Sequence, residues 1–126
     1  VNIFQNLDCP FELMHTVSTY PMNDKDANLN VIKTLRKKYQ CDVGYSGHES
    51  SVSPSIAAWV IGADYIERHI TSDRTLFGTD QSASLEESGL RQLSEILNRM
   101  PKVLGNGVKK MTNEEKKLVK KFKYWS

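Results

Sequence analysis

Cysteine is scarce in this chain. Cys9 and Cys41 are the only two, and no CxxC spacing joins them. That excludes the cysteine density of a secreted disulfide scaffold and leaves two thiols expected to be buried or inert. Long apolar runs are missing too. The longest, Ile56 to Ala63, is eight residues with Gly62 inside it, far short of a membrane span. The first residues, VNIFQNLDCP, lack a basic segment followed by an apolar stretch, so no signal peptide is visible and a reduced, cytoplasmic setting is the default expectation. No low-complexity tract and no repeat at solenoid periods is present.

What is present reads as globular. The chain has 126 residues, 39% of them hydrophobic and 25% charged, which suits one small domain with a modest core. The net charge of +2 conceals an asymmetry. Residues 101–126 hold eight Lys against two Glu, a balance of +6, which leaves −4 over residues 1–100.

The periodicity along the chain alternates between strand and helix. Glu12–Ser18 is a short apolar run closed by Thr19, Tyr20 and Pro21. Asp24–Tyr39 carries Leu29, Ile32, Leu35 and Tyr39 at spacings of three and four, which predicts an amphipathic helix with a basic last turn. Asp42–Ser46 predicts the second strand. Ser53 then reads as the cap of a helix with Pro54 at its first position and Gly62 at its end. Asp64–Ile70 predicts the third strand. After a polar loop, Ser84 and Glu87 read as a capping box, opening a helix buried along Leu90, Leu93, Leu97 and Met100 and ended by Pro101. Thr112 and Glu115 read as a second box, opening a basic helix with Leu118, Phe122 and Trp125 on one side.

A β-α-β-α-β-α order with short connections is the pattern of a parallel sheet with right-handed crossovers. An open doubly wound sheet and a (β/α)8 barrel both fit. Three strands are few for either, and a barrel closes with eight over roughly 250 residues.

Polar groups concentrate where such folds bind ligands. Ser46 and His48 alternate at the end of the second strand, and Glu67 and His69 at the end of the third, so each pair shares a face. Those are the C-terminal ends of parallel strands, where ligands and metals bind. One imidazole from each of two neighbouring strands could hold one divalent cation. Met14, Thr16, Ser18 and Gly44 belong to the same face by register. A carboxylate such as Glu67 on an inner strand face is costly unless it binds something. Asp80, in a Gly-Thr-Asp turn, could bind or merely turn the chain, and Tyr20 could contact a ligand or simply pack. His15 falls on the opposite face, toward a helix. Arg68 also faces the helix layer, where an exposed salt bridge at the sheet rim is expected.

Four motifs, HTVSTYP, VGYSGHE, GADYIERHIT and GTDQSASLE, resemble the C-terminal part of the sialic acid synthase (N-acetylneuraminate synthase) family in order and spacing. LGNGVKKMTNEE is similar to that family's connector out of the barrel. The resemblance covers essentially the whole chain. It implies a parallel (β/α)8 TIM barrel, of which residues 1–100 are about the last three βα units, strands six to eight. Residues 101–126 then form a basic connector leading toward an antifreeze-like domain. It further implies metal-assisted condensation of phosphoenolpyruvate with N-acetylmannosamine or a related N-acyl amino sugar, giving a nine-carbon sialic acid and phosphate. By motif, His48 and His69 resemble ligands of Mn²⁺ or Mg²⁺. Tyr20, Glu67 and Asp80 resemble sugar contacts, and Ser18 and Ser46 phosphoenolpyruvate contacts.

Three positions depart from the family pattern: Ser18 where many relatives carry Asn, Gly47 where Asp is frequent, and Gln81 where His is frequent. They are expected to bear on sugar preference. The family's general base, a Glu, and its phosphate-neutralising lysines would precede Val1. The antifreeze-like domain, which in the family reaches a partner subunit's site, would follow Ser126, so the partners implied are the rest of the barrel and a second copy in a homodimer.

Two other classes compete. A non-catalytic metal- or sugar-binding fragment would use the same residues without turnover. A nucleic-acid binder would use Lys109, Lys110, Lys116, Lys117, Lys120, Lys121 and Lys123, but it leaves residues 15–80 unexplained. Neither nucleic acid nor membrane is the expected partner.

Overall fold

The computed structural model describes residues 1–122. A short helix α1 (Asn2–Asn6) precedes strand β1 (Leu13–Thr16) and a 3-10 turn at Asp24–Asp26. Helix α2 (Val31–Tyr39), strand β2 (Val43–Gly47), helix α3 (Ser53–Val60) and strand β3 (Ile66–Arg68) follow. A second 3-10 turn, Gln81–Ala83, leads to α4 (Glu87–Leu104) and then α5 (Asn113–Phe122).

The three strands form one sheet in the order β1-β2-β3, and both pairings are parallel. Thr16 pairs with Ser46 and Ser46 with Glu67, so the inner-face residues of all three strands share one row. The fold is therefore α/β with a parallel sheet, and the expected alternation of faces holds. On the outer face, Val43 and Tyr45 of the central strand are fully buried with Ile32 of α2 and Ala58 of α3, and Leu13, Leu29, Leu35, Ile61 and Ile66 pack around them. His15 lies on this side, buried, with Nε2 2.7 Å from the carbonyl oxygen of Ala27. On the inner face Met14 lies across Gly44: a Cβ there would come within 2.3 Å of its sulfur. Glycine is what lets Met14 fold over the central strand.

Several boundaries differ from the sequence-based expectation. The ladder ends earlier at β1 and β3, and single parallel bridges, Met22 to Glu49 and Ile70 to Leu85, continue it past the strand ends. The helix expected from Asp24 starts at Val31, because Asn28 takes a positive φ of 39° and breaks the path after the 3-10 turn. Ser53 lies inside α3 rather than capping it, and its N–H is offered to the Ser51 hydroxyl at 3.4 Å. Ser84 does not cap α4: its hydroxyl donates to the Asp80 carbonyl at 2.8 Å, and Glu86 accepts the Arg74 N–H at 3.0 Å. Pro101 does not end α4, which runs on to Leu104 and stops at Gly105 with φ of 62°. A proline so near the helix end removes only one hydrogen bond of the last turns. Along the expected stripe only Leu93 is buried and Leu90 is exposed; α3 is a helix that packs against α4.

The second capping box is present. The Thr112 hydroxyl accepts the Glu115 N–H at 3.1 Å, and the Glu115 carboxylate accepts the Thr112 N–H at 2.6 Å. Hydrogen bonds from the Thr112 N–H, the Thr112 side chain and Lys109 hold the Glu115 carboxyl below its ordinary range. Trp125 and Lys123 of the expected basic helix lie outside the described residues. Among the described residues no helix is long and apolar enough to cross a membrane.

Candidate functional site

The predicted site residues converge at the C-terminal ends of the strands. The His48 and His69 rings meet edge to face, with centres 5.1 Å apart and planes at 70°. Tyr20, from the loop after β1, stacks on His48 at 4.3 Å and meets His69 edge-on at 5.6 Å. Asp80 approaches from the loop after β3, its carboxylate 3.7 Å from His69 Nδ1. Glu67 accepts the Ser46 hydroxyl proton at 2.7 Å across the β2–β3 register. Six of the seven predicted residues thus gather in one place. The seventh, Ser18, is exposed just beyond β1.

His48 is held most firmly. It is buried, and its Nδ1 lies 2.8 Å from the Val17 carbonyl oxygen, with the Thr16 hydroxyl at 3.4 Å. A carbonyl can only accept, so Nδ1 carries the proton and Nε2 keeps its lone pair. That is the second-sphere arrangement which fixes the tautomer of a metal-binding imidazole. Ring spacing allows the same use. A nitrogen about 2.1 Å from a cation sets its ring centre roughly 3.2 Å away, so two rings at tetrahedral or octahedral angles stand about 4.6–5.3 Å apart. The observed 5.1 Å falls inside that interval. Among the described residues no group of three His, Cys, Asp or Glu side chains surrounds one point. An ordinary edge-to-face contact has the same spacing, so the two histidines are compatible with a partial ligand set for a shared cation and do not by themselves define one.

Two residues behave differently from expectation. Arg68 is not an exposed rim charge. Its side chain is 2% exposed and forms an ion pair at 3.1 Å with Glu49, which is 0% exposed. Burial lowers the Arg68 pKa, and the Glu49 carboxylate opposes that shift. The Tyr45 hydroxyl, buried and bonded to Glu49 at 3.0 Å, is raised well above the usual phenol range. Gly47 was expected to bear on sugar choice, but its side-chain direction leads away from the mouth. A Cβ there would lie 2.5 Å from Glu49 Oε2 and 2.9 Å from the Tyr45 ring. Sequence reasoning missed Glu49, yet the signal was present: an arginine on the helix-facing side of a strand needs a buried acid.

A cleft of about 710 Å³ lies at the other end of the sheet, lined by Asp8, Phe11, Glu12, Tyr39 and Asp42 among others. It contains none of the predicted site residues. The histidines and carboxylates instead lie along one open wall.

These polar side chains lie at the C-terminal ends of a parallel sheet, where α/β proteins commonly bind ligands. Comparison with known proteins narrows the class. The NeuB family profile matches residues 1–109, and the chain belongs to the NeuB family. It is 36% identical over 105 residues to the N,N'-diacetyllegionaminic acid synthase of Campylobacter jejuni, covering 83% of this chain and 31% of that protein. It is 38% identical over 110 residues to the human N-acetylneuraminate-9-phosphate synthase, covering 86% and 31%. The crystal structure of N-acetylneuraminic acid (sialic acid) synthetase from Leptospira borgpetersenii, in complex with citrate, matches with a TM-score of 0.77 and 40% identity. That match covers 95% of this chain and 42% of the Leptospira one. The chain spans about three-tenths of the length of these curated relatives. The family read from the motifs is borne out.

Proposed function

We propose that this chain forms the C-terminal part of the active-site wall of a sialic acid synthase-type enzyme. Residues 1–100 correspond to the last three βα units of a (β/α)8 barrel and residues 101–126 to the connector beyond it. The reaction is condensation of phosphoenolpyruvate with N-acetylmannosamine or a related N-acyl amino sugar, in the cytoplasm, assisted by Mn²⁺ or Mg²⁺. The observation that carries the reading is the convergence of Tyr20, His48, His69, Glu67 and Asp80 at one end of the parallel sheet, in a NeuB-family chain.

A cation held by His48 and His69 would supply Lewis-acid polarisation of the sugar aldehyde. The remaining work belongs to the side chains. Glu67 has one oxygen engaged by Ser46 and presents the other to sugar hydroxyls, which fixes the direction of the aldehyde. Asp80 closes the same volume from its loop. Tyr20 sets its ring beside both imidazoles and carries a hydroxyl that a sugar could meet. Ser46 has a single proton, donated to Glu67 in this structure, so a phosphate oxygen of phosphoenolpyruvate would have to replace Glu67 as its acceptor. Ser18, exposed beyond β1, is free to meet the same phosphate.

The sugar is read as unphosphorylated. Glu67 and Asp80 would repel a second dianion. Arg68 is neutralised by Glu49, whereas Arg74 donates to the uncharged Ser82 carbonyl and keeps its charge on the loop that carries Asp80. The 9-phosphate synthases among the relatives supply the opposing reading. In the enzyme that contains this chain, phosphate release from phosphoenolpyruvate should require the amino sugar and the metal together. Metal or sugar binding without such release would leave only the alternative, a non-catalytic binding fragment.

A further inference from the structure

Glu49 follows His48 in the chain, and Arg68 precedes His69. Strand alternation turns both away from the open mouth and into the space between the sheet and α3. There the Glu49 carboxylate is fully enclosed. Its Oε1 accepts the Ser55 N–H at 3.1 Å, the Ser55 hydroxyl at 2.6 Å and Arg68 Nη1 at 3.1 Å, and its Oε2 accepts the Tyr45 hydroxyl at 3.0 Å. Arg68 reaches further. Nη1 also donates to the Ser51 carbonyl at 2.8 Å and the Ser55 hydroxyl at 3.2 Å, and Nη2 donates to the carbonyls of Glu49 at 2.5 Å and Ala83 at 3.1 Å.

We infer that the Arg68–Glu49 pair is a positioning device for the site, setting the separation of His48, His69 and the Asp80 loop from behind. The inference rests on the reading of His48 and His69 as one ligand pair. Besides Ser51 and Ser55 at the entry to α3, the segments that Arg68 fastens deliver site residues. The Glu49 carbonyl belongs to the residue after His48, and Arg68 itself holds the backbone before His69. Ala83 ends the 3-10 turn whose N-cap is Asp80, and the Asp80 carbonyl accepts the Ala83 N–H at 3.1 Å and the Ser84 hydroxyl at 2.8 Å. One guanidinium thus joins the three chain segments from which His48, His69 and Asp80 project.

Stability alone does not account for the pair. Two buried charges give up their hydration, and replacing them with apolar residues of similar volume is often neutral or stabilising. What a guanidinium adds is direction, because its planar fork constrains angles as well as distances. Direction matters at a reacting site, where a misplacement of about 1 Å lowers a rate roughly 100-fold. Gly47 fits the same account, since any side chain there would run into the Glu49 carboxylate.

The test uses the enzyme that contains this chain, with Arg68→Met and Glu49→Leu combined so that no charge is left buried alone. The double variant should unfold cooperatively near the wild-type temperature and bind Mn²⁺ ~10–100-fold more weakly by calorimetry. In the metal-free protein with labelled histidines, the ring-to-ring nuclear Overhauser contacts between His48 and His69 should be lost. A folded double variant that keeps those contacts and wild-type Mn²⁺ affinity would overturn the inference. Should the double variant not fold, Arg68→Lys keeps the charge without the fork and is read by the same two measurements. If the wild-type enzyme binds no Mn²⁺, the ligand-pair reading fails, and the ring contacts of the metal-free protein still decide whether the pair positions the histidines.

Discussion

The Nδ1 atom of His48 lies 2.8 Å from the carbonyl oxygen of Val17, the first residue past β1. This bond ties the end of β2 to the end of β1 and leaves Nε2 of the same ring as a lone-pair donor. It explains how a histidine from the central strand can be both buried and ready to bind.

The first expectation follows directly. In the enzyme containing this chain, His48→Ala and His69→Ala should each abolish metal-dependent release of phosphate while leaving the circular dichroism spectrum unchanged. Full turnover in His69→Ala would refute the ligand assignment. His48→Ala also removes the tie to Val17, so a modest loss of thermal stability should accompany it and should be smaller in His69→Ala.

Ser46 gives a second expectation. Its hydroxyl holds one oxygen of Glu67 at 2.7 Å, and a hydrogen bond to a charged group contributes about 1.5–3 kcal/mol. Ser46→Ala should therefore lower kcat/KM for the amino sugar roughly 10–100-fold if the hydroxyl stays on Glu67. It should raise KM for phosphoenolpyruvate instead if the hydroxyl turns to the phosphate, with Thr at the same position recovering part of the loss. An unchanged kcat/KM in Ser46→Ala would show that Glu67 needs no such support.

Most of the site was legible in the sequence because strand alternation has a period of two and needs no tertiary information. Ser46, His48, Glu67 and His69 were placed correctly from that alone, and His15 was correctly sent to the other face. Helix boundaries were less legible. Pro101 and Ser84 carry local signals that the neighbouring chain overrode: α4 tolerates a proline in its last turns, and Ser84 turns back to Asp80. Arg68 was misjudged for a different reason. Sequence register showed which way it points, but only the packing of α3 over the sheet determines whether that direction ends in water or in Glu49.

Asp64 supplies the pH expectation. Burial works against its charge, but the Arg36 guanidinium at 2.6 Å and the Val43 N–H at 2.8 Å outweigh that, so its carboxyl sits below the ordinary aspartate value of 3.8. A depressed carboxylate contributes stability that is present above its unfolded pKa and is lost as pH falls through the folded one. Chemical denaturation should therefore show falling stability below about pH 4, with a shallower fall in Asp64→Asn. Identical slopes in the two proteins would remove Asp64 from the acid response. Because Arg36 and Asp64 are both partly exposed, the effect should also shrink in high salt.

Edges give an expectation about assembly. β1 and β3 each pair on one side only, and Met14, Tyr65, Ile70, Leu76 and Phe77 are exposed, Phe77 fully. Open edges and uncovered apolar groups favour association. The 126-residue chain expressed alone should therefore self-associate or require a partner that covers these edges. Light scattering that gives a compact monomer of 14.3 kDa with cooperative unfolding would contradict this.

The last expectation concerns the sugar. Glu67 and Asp80 place two carboxylates at the mouth, and one of the two local arginines is neutralised by another acid. Arg68 is enclosed against Glu49, and Arg74 donates to Ser82. Charge balance therefore favours a neutral polyhydroxylated aldehyde over one that carries a phosphate. Relatives named for a 9-phosphate product make the question sharp, since the human one is 38% identical over 110 residues. Competition kinetics in the enzyme containing this chain should give N-acetylmannosamine the higher kcat/KM. A higher value for the 6-phosphate would mean that positive charge, from Arg74, the bound cation or another segment, outweighs the two carboxylates, and would reverse the assignment of substrate. Asp80→Asn separates the two cases further. It should narrow the gap between the sugars if carboxylate repulsion sets the preference, and leave the ratio unchanged if it does not.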